Sequence, residues 1–299
     1  MNLVQMISKN MWDCIQSACD KIEKRRFYPG TVYARNDISY KDDGNRYHTL
    51  DVYYPVRRKP YNPVIIQIHG GGWMSGDNRF GKRFAYSLAE KGFVVVNINY
   101  RLIPETGIAG QLEDCIDALK WVWNNIHYYS GNRKKIMMVG ESAGGFLASY
   151  TALLASSESL CKKFGLQHVP VKISALGLIS PVCFMNRGRS SKIYYEELTR
   201  EFVESGGNKE ILDIDNVINE GKMPPTFIVT STGDFIAKRH CEELRTLLYA
   251  KKVSHQYACW KLYDGKPLTH SFPFIYPTSI PTIKIIDLMT KFFKKHCNE

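Results

Sequence analysis

A serine flanked by glycines follows a short apolar run in this chain. The segment GESAGG, residues 140–145, comes directly after apolar residues 136–139 and before a stretch with helical character. This strand–turn–helix setting is typical of a nucleophile elbow, in which glycines leave room for a sharp turn and the serine hydroxyl stands clear of the sheet. The turn also sets the hydroxyl at a helix N-terminus, whose dipole favours developing negative charge. We therefore predict Ser142 as a nucleophile.

A second glycine-rich segment, HGGGW at residues 69–73, follows a buried strand-like run upstream of the serine. Acyl transfer places negative charge on the oxygen of a tetrahedral intermediate, and backbone N–H groups that already point at this oxygen stabilise it. Glycines let the backbone approach closely enough to do so. We assign the oxyanion-hole donors to Gly71, Gly72 and Ala143. His69 is expected to brace the loop.

A serine nucleophile needs a histidine to take its proton and a carboxylate to hold that histidine in the correct tautomer. With a nucleophile elbow the chain order is serine, then acid, then histidine. Asp234 follows a strand-like run at residues 226–230, and His270 lies in a loop before the final helix. Both fall at the same sheet edge as Ser142, so we predict them as its catalytic partners. Asp264 is the rival carboxylate.

Strand-like and helix-like patterns alternate along the chain. Strand-like runs occur at residues 50–54, 64–68, 93–98, 135–139, 175–179, 226–230 and 256–263, and residues 32–40 add an edge strand. Helix-length stretches are clearest at residues 110–125, 142–156, 237–251 and 281–295. In the first of these, apolar residues recur every three or four positions, on one face of a helix. The alternation predicts an α/β fold, with a mostly parallel sheet covered by helices on both faces.

Two segments, residues 1–30 and 185–221, do not fit this alternation. In a sheet-based enzyme such segments are natural material for a cap over the carboxyl ends of the strands. No internal repeat, low-complexity tract or linker divides the sequence. We therefore predict a single domain over residues 1–299, with cap elements from these two segments.

Four motifs occur in a familiar order: HGGGW at residues 69–73, NYRLIPE at 99–105, GESAGG at 140–145, and HSF at 270–272, with Asp234 before the last. Over residues 49–295 the chain resembles the hormone-sensitive-lipase-like carboxylesterase branch of the α/β-hydrolases. The resemblance implies an eight-stranded, mostly parallel sheet with a small helical cap. It also implies hydrolysis of short- to medium-chain acyl esters by the same triad and oxyanion-hole residues.

Two positions depart from this branch. The branch usually has Asp where this chain has Glu141, and a Glu at this position is typical of type-B carboxylesterases. Asn99 replaces the usual Asp before the YRL residues. The second change weakens an expected pairing with Arg101. By the same resemblance, Arg101 and Asp114 are structural braces and not catalysts.

Composition and charge give no support to nucleic-acid-binding, nucleotide-binding or metal-binding functions. Hydrophobic residues make up 44% and charged residues 23% of the chain, as in ordinary globular proteins. The net charge of +11 comes from short separate basic clusters without a nucleic-acid-binding motif, so we interpret it as solvated surface charge. Residues 76–83 lack the Ser or Thr of a P-loop, and residues 213–218 lack the ligands of a calcium loop. We expect no cofactor, no metal and no nucleic-acid partner.

The cysteines and the N-terminal residues indicate the cellular compartment in which we expect the protein. The eight cysteines form no C-x-x-C pair, which favours buried free thiols in a reducing compartment. The first residues lack the features of a signal peptide, and the apolar runs are too short to span a bilayer. We expect a cytoplasmic protein without stable membrane insertion. The sequence does not indicate an oligomeric state.

The sequence thus predicts a serine carboxylesterase that forms an acyl-enzyme with a small ester substrate. Trp73 and Phe235 are candidate substrate-binding residues. Three alternatives stay open: an amide or formamide hydrolase, an acetyl or feruloyl polysaccharide esterase of the same fold, and a non-enzymatic small-molecule receptor. The presence of His270 counts against the receptor.

Overall fold

An eight-stranded sheet forms the centre of the computed structural model, which describes residues 3–23, 28, 30–57, 61–185 and 192–297. Its strands are β1 (Val32–Ser39), β2 (Thr49–Pro55), β3 (Asn62–Ile68), β4 (Val94–Ile98), β5 (Gly131–Glu141), β6 (Ile173–Ile179), β7 (Thr226–Ser231) and β8 (His255–Trp260). They lie in the order β1-β2-β4-β3-β5-β6-β7-β8. β2 pairs antiparallel with both β1 and β4, and the other pairs are parallel. The predicted mostly parallel eight-stranded sheet is confirmed.

Ten α-helices lie in the described part of the chain. They are α1 (Leu3–Glu23), α2 (Lys82–Glu90), α3 (Ile108–Asn125), α4 (Ala143–Ser156), α5 (Glu158–Phe164), α6 (Lys192–Glu204), α7 (Ile214–Val217), α8 (Lys238–Ala250), α9 (Phe272–Ile275) and α10 (Ile280–His296). Residues of α3, α4 and α8 belong to one apolar core, and residues of α2 and α10 belong to a second. Helices therefore cover both faces of the sheet, as predicted.

The central strands contribute side chains to both cores because successive residues of a strand point to opposite faces. In β3, Val64 and Ile66 belong to the first core, and Ile65 belongs to the second. Such strands are mostly apolar where both of their faces are buried. Their carboxyl ends form one edge of the sheet, where the chain turns into the loops that follow β3, β5, β7 and β8.

The structure differs from the sequence prediction at the last strand. The strand ends at Trp260, and the chain then forms a small hairpin of β9 (Leu262–Tyr263) and β10 (Lys266–Pro267). Asp264 lies in the hairpin turn with a left-handed φ of 51° and is exposed. The strand-like pattern continues past Trp260 because both arms of a hairpin are extended backbone.

The segments predicted to form a cap are helical where they are described. α1 and α6 contact each other, while residues 1–2, 24–27, 29 and 186–191 lie outside the described residues. Leu212, Ile214 and Val217 are buried in the first core. That part of 185–221 therefore packs as core, and a cap role for α1 and α6 stays a prediction.

Two further expectations concern cysteines and membrane helices. Cys115, Cys161 and Cys183 are buried free thiols, as predicted, whereas Cys14 and Cys259 are exposed. Among the described helices, none combines the length and the hydropathy needed to cross a membrane.

Candidate active site

Ser142 occupies a sharp turn between β5 and α4. Its backbone has φ 53° and ψ −116°, a positive φ that residues other than glycine rarely adopt. A Cβ atom on Gly140 would lie 2.2 Å from the Gly144 carbonyl oxygen, and one on Gly144 would lie 2.2 Å from the Ile68 carbonyl oxygen. Glycine is therefore required at both positions, and the turn packs directly against the end of β3.

Three side chains from separate loops meet at this turn. His270 Nε2 lies 2.9 Å from Ser142 Oγ, and His270 Nδ1 lies 2.9 Å from Asp234 Oδ1. Because an ionised carboxylate can only accept hydrogen bonds, Nδ1 bears the imidazole proton and Nε2 accepts the serine hydroxyl. The structure thus brings the three residues selected from the sequence together, whereas the rival Asp264 is exposed in the hairpin.

Several donors surround the buried carboxylate of Asp234. Burial alone would raise the pKa of Asp234, but hydrogen bonds from His270 and the Ala237 amide hold this pKa below its ordinary value. The amide nitrogens of Ala237 and Ile236 lie 2.8 Å and 3.2 Å from Oδ1, and Thr230 Oγ1 lies 3.2 Å from Oδ2. The carboxylate therefore stays charged beside the imidazole and fixes its orientation.

The glycine loop after β3 lies next to the turn with Ser142. Gly71 and Gly72 have φ values of 101° and 61°, which glycine adopts without strain. Gly71 lies in the wall of the cavity that contains His270, and Gly72 and Ala143 are buried. Their role as oxyanion-hole donors stays a prediction.

Two buried side chains hold this glycine loop in place. His69 stacks on Tyr100 with ring centroids 4.4 Å apart, and burial lowers the pKa of His69. Glu141 Oε2 accepts a hydrogen bond from the Gly70 amide at 2.8 Å, and Oε1 accepts one from the Ser271 hydroxyl. Glu141 therefore ties the glycine loop to the loop that contains His270.

Serines at the ends of two neighbouring strands support the His270 loop. The Ser231 hydroxyl, at the end of β7, donates to the Leu268 carbonyl at 2.7 Å. Ser180 Oγ, just after β6, accepts from the Ser271 amide at 3.2 Å. The roles of these serines and of Glu141 could not be predicted from the sequence, because they depend on partners distant in the chain. Their positions at strand ends are the only signal that the sequence offers.

A cavity of about 560 Å³ opens beside His270. Its apolar wall includes Phe80, Ile236 and Ile275, and Phe235 and Met11 contribute to it from exposed positions. The walls are thus suited to an apolar group next to Ser142.

Trp73 does not lie where a substrate-binding residue was predicted. Its side chain is buried in the first core, in edge-to-face contact with Phe146 and Tyr195, and it does not line the cavity beside His270. The backbone passes through left-handed conformations from Gly71 to Trp73, and the indole points into the core. Of the two candidate substrate-binding residues, only Phe235 lies at the cavity.

Arg101, which is partly exposed, forms an ion pair with the buried Asp114. Arg101 Nη2 lies 2.6 Å from Asp114 Oδ1, and the Arg101 amide donates to Oδ2 at 2.8 Å. Asn99 instead accepts a hydrogen bond from the Asn78 amide at 2.7 Å. The pair joins the loop after β4 to α3, the geometry of a structural brace.

The sheet order and the strand–turn–helix elbow together define an α/β-hydrolase fold. The BD-FAE family model matches residues 50–245, more than half of the chain. The chain belongs to the BD-FAE family.

Solved esterase structures have the same fold. Esterase B from Lactobacillus rhamnosis, in a C6-C4 SN3 inhibited form, superposes with a TM-score of 0.91 at 23% identity, over 99% of this chain and 97% of that one. A Pyrobaculum calidifontis esterase superposes with a TM-score of 0.67 at 22% identity, over 99% of this chain and 93% of that one. At these identities the likeness establishes the fold alone.

Curated relatives include ester hydrolases of plants and bacteria. The isoprenylcysteine alpha-carbonyl methylesterase ICME of Arabidopsis thaliana is 27% identical over 248 residues, which are 80% of this chain and 57% of the relative. The probable carboxylic ester hydrolase LipM of Mycobacterium tuberculosis is 39% identical over 123 residues, 39% of this chain and 28% of the relative. This chain therefore spans little more than half of the plant relative.

Proposed function

We propose that this chain is a serine carboxylesterase that hydrolyses short- to medium-chain acyl esters. The observation that supports this best is the hydrogen-bonded series from Asp234 through His270 to Ser142, with 2.9 Å at both steps. A neutral imidazole held between a charged carboxylate and a hydroxyl is positioned to act as a general base. The names of several relatives, esterases or ester hydrolases, agree with this chemistry.

The proposed reaction has two steps, both centred on Ser142. First, His270 accepts the hydroxyl proton while the serine oxygen attacks the ester carbonyl, and backbone N–H groups of Gly71, Gly72 and Ala143 stabilise the oxyanion. The alcohol leaves with the proton from His270, and the acyl group stays on the serine. Water, deprotonated by His270, then attacks the acyl-enzyme, His270 returns the proton to the leaving serine oxygen, and the carboxylic acid is released.

The apolar cavity supports a modest acyl or alcohol group as the part of the substrate next to Ser142. At about 560 Å³ it lies within the ordinary size range of small-molecule sites. Exposed Phe235 at its rim is the residue we propose to contact the substrate. A series of p-nitrophenyl esters of increasing acyl length should therefore show a maximum at short or medium chains. An isoprenylcysteine methyl ester, the type of substrate suggested by the name of the plant relative, should be compared with this series.

Replacing the proposed nucleophile is the direct test. Ser142→Ala should lower kcat for p-nitrophenyl butyrate by about 10⁶-fold, because the serine and histidine act as a unit. The fold should survive, which circular dichroism can check. An organophosphonate probe should label the wild-type protein at Ser142 and leave the variant unlabelled. A variant that retains near-native turnover would refute the proposal.

A further inference from the structure

The outward face of α1 exposes an apolar stripe. Leu3, Met6, Ile7 and Met11 are 70%, 48%, 61% and 50% exposed. Their spacing of three, four and eight residues from Leu3 places them on one face of the helix. A surface helix ordinarily turns its apolar face inward, and contiguous exposed apolar residues mark a membrane or protein contact.

Polar residues of α1 instead face the body of the protein. Lys9, Asp13 and Gln16 border a polar cleft beside the glycine loop. Asp13 Oδ1 accepts a hydrogen bond from the Ser75 hydroxyl at 2.5 Å, and Ser75 is buried. This contact turns the polar side of α1 toward the glycine loop, and Leu3, Met6 and Ile7 stay exposed to solvent.

The stripe continues to the mouth of the cavity that contains His270. Met11, at the end of the stripe, lines this cavity together with Phe235, which is 87% exposed. Further along the same sheet edge, the hairpin after β8 exposes Leu262 and Tyr263. Met11 and Phe235 therefore connect exposed apolar surface to the apolar cavity.

Charge favours one occupant for this surface. The hairpin also exposes Lys261 and Lys266, and the whole chain has a net charge of +11. Apolar side chains flanked by lysines suit an anionic lipid surface, where the former enter the acyl boundary and the latter meet the headgroups. A protein partner seated here would cover the cavity mouth, whereas a lipid surface would place apolar esters at it.

We infer that the stripe Leu3, Met6, Ile7 and Met11, with Phe235 and Leu262, docks the cavity mouth onto an anionic phospholipid surface. The protein then takes ester substrates from the lipid phase. The docking stands on the exposed surface itself, while the delivery of substrate rests on the proposed esterase function.

Vesicle co-sedimentation tests the docking. Wild-type protein and Ser142→Ala should both sediment with vesicles of phosphatidylcholine and phosphatidylglycerol, and much less with phosphatidylcholine alone. The double variant Leu3→Ser/Ile7→Ser should reduce the bound fraction by at least about tenfold, since two large apolar side chains no longer enter the bilayer. The matched control Tyr61→Ser/Tyr128→Ser removes two exposed aromatics beside the starts of β3 and β5, at the opposite sheet edge. It should bind like the wild type.

Activity measurements separate this inference from the proposed function. Leu3→Ser/Ile7→Ser should hydrolyse soluble p-nitrophenyl acetate at the wild-type rate, and should lose rate only on an ester presented in anionic vesicles. Docking is overturned if the wild type stays in the supernatant, if the double variant binds undiminished, or if the stripe proves to be buried in a dimer that the variant dissociates. Vesicle binding without hydrolysis of any ester would refute the proposed function and leave docking intact.

Discussion

At the scale of single residues, the site depends on charge placed inside the protein. Asp234 is buried, yet it keeps its negative charge because His270, two amides and a hydroxyl donate to it. An uncharged side chain of the same shape would still fill the space. It would not hold the imidazole with its proton on Nδ1, so Nε2 would no longer be available to the serine.

Replacing this carboxylate should therefore affect catalysis far more than folding. Asp234→Asn should lower kcat by about 10⁴-fold, because the amide stabilises the wrong histidine tautomer. Asp264→Asn is the matched control, since this second acid near the end of the sheet is exposed in a hairpin turn. Steady-state kinetics on p-nitrophenyl butyrate measure both. Equal losses in the two variants would contradict the roles given to these acids.

The sequence could indicate Ser142, Asp234 and His270 because local signals mark each of them. The serine lies between obligatory glycines, and the acid and the histidine follow strand-like runs in the order that this fold requires. Glu141 and Trp73 have no such signal. Glu141 acts through the Gly70 amide and the Ser271 hydroxyl, contacts between residues far apart in the chain that no spacing reveals. The direction of Trp73 is set by the left-handed turn before it.

At the scale of elements, the site is an edge at which four strands end. The glycine loop follows β3, Ser142 follows β5, Asp234 follows β7, and His270 follows β8 and its hairpin. Parallel strands bring these loops together but do not fix their mutual distance. Glu141 does so, because its two oxygens bind the first and the last of them.

Removing the Glu141 carboxylate should loosen this edge. In Glu141→Ala the buried Gly70 N–H and Ser271 O–H lose their acceptor, and the free energy of unfolding should fall by about 3 kcal/mol. The kcat should fall by at least about tenfold, because the glycine loop and His270 are no longer held in register. Urea unfolding and ester hydrolysis measure the two effects. Glu158→Ala, at an exposed carboxylate, is the control, and a Glu141 variant indistinguishable from it would contradict the bracing role.

Elements were predictable from the sequence where an apolar pattern extended over enough residues to reveal its period. The runs that became β3, β5 and β7 are apolar on both faces, and α3 has a clear apolar stripe. α2 has only nine residues, half the length of α3, so the sequence offers too few helical turns to predict it from periodicity. Tertiary packing of Phe84 and Leu88 against the second core stabilises this helix instead.

At the scale of the whole molecule, the two cores are separated by the sheet, and the active-site loops lie at its edge. His240 on α8 packs against aromatic side chains of the first core. Its ring stacks on Phe184 with centroids 6.0 Å apart and meets Tyr195 edge-to-face. Burial lowers the pKa of His240 to about 4, so this histidine packs as a neutral ring.

This buried ring should make the folded state sensitive to acid. The pKa of a histidine in an unfolded chain is about 6.5. Between about pH 6.5 and 4, His240 is therefore protonated in the unfolded state but stays neutral in the folded state. This residue therefore contributes its full stabilisation above pH 6.5, and the contribution is lost as the pH falls, by about 3 kcal/mol in all.

The variant His240→Phe tests this pH dependence, because it keeps an aromatic ring that does not titrate. Urea unfolding at intervals from pH 7 to 4 should show a shallower loss of stability in His240→Phe than in the wild type. Tyr249→Phe, an exposed change on the same helix, should follow the wild-type curve. Parallel curves for the wild type and His240→Phe would mean that His240 binds its proton as readily in the folded state as in the unfolded chain, which would contradict its packing as a neutral ring.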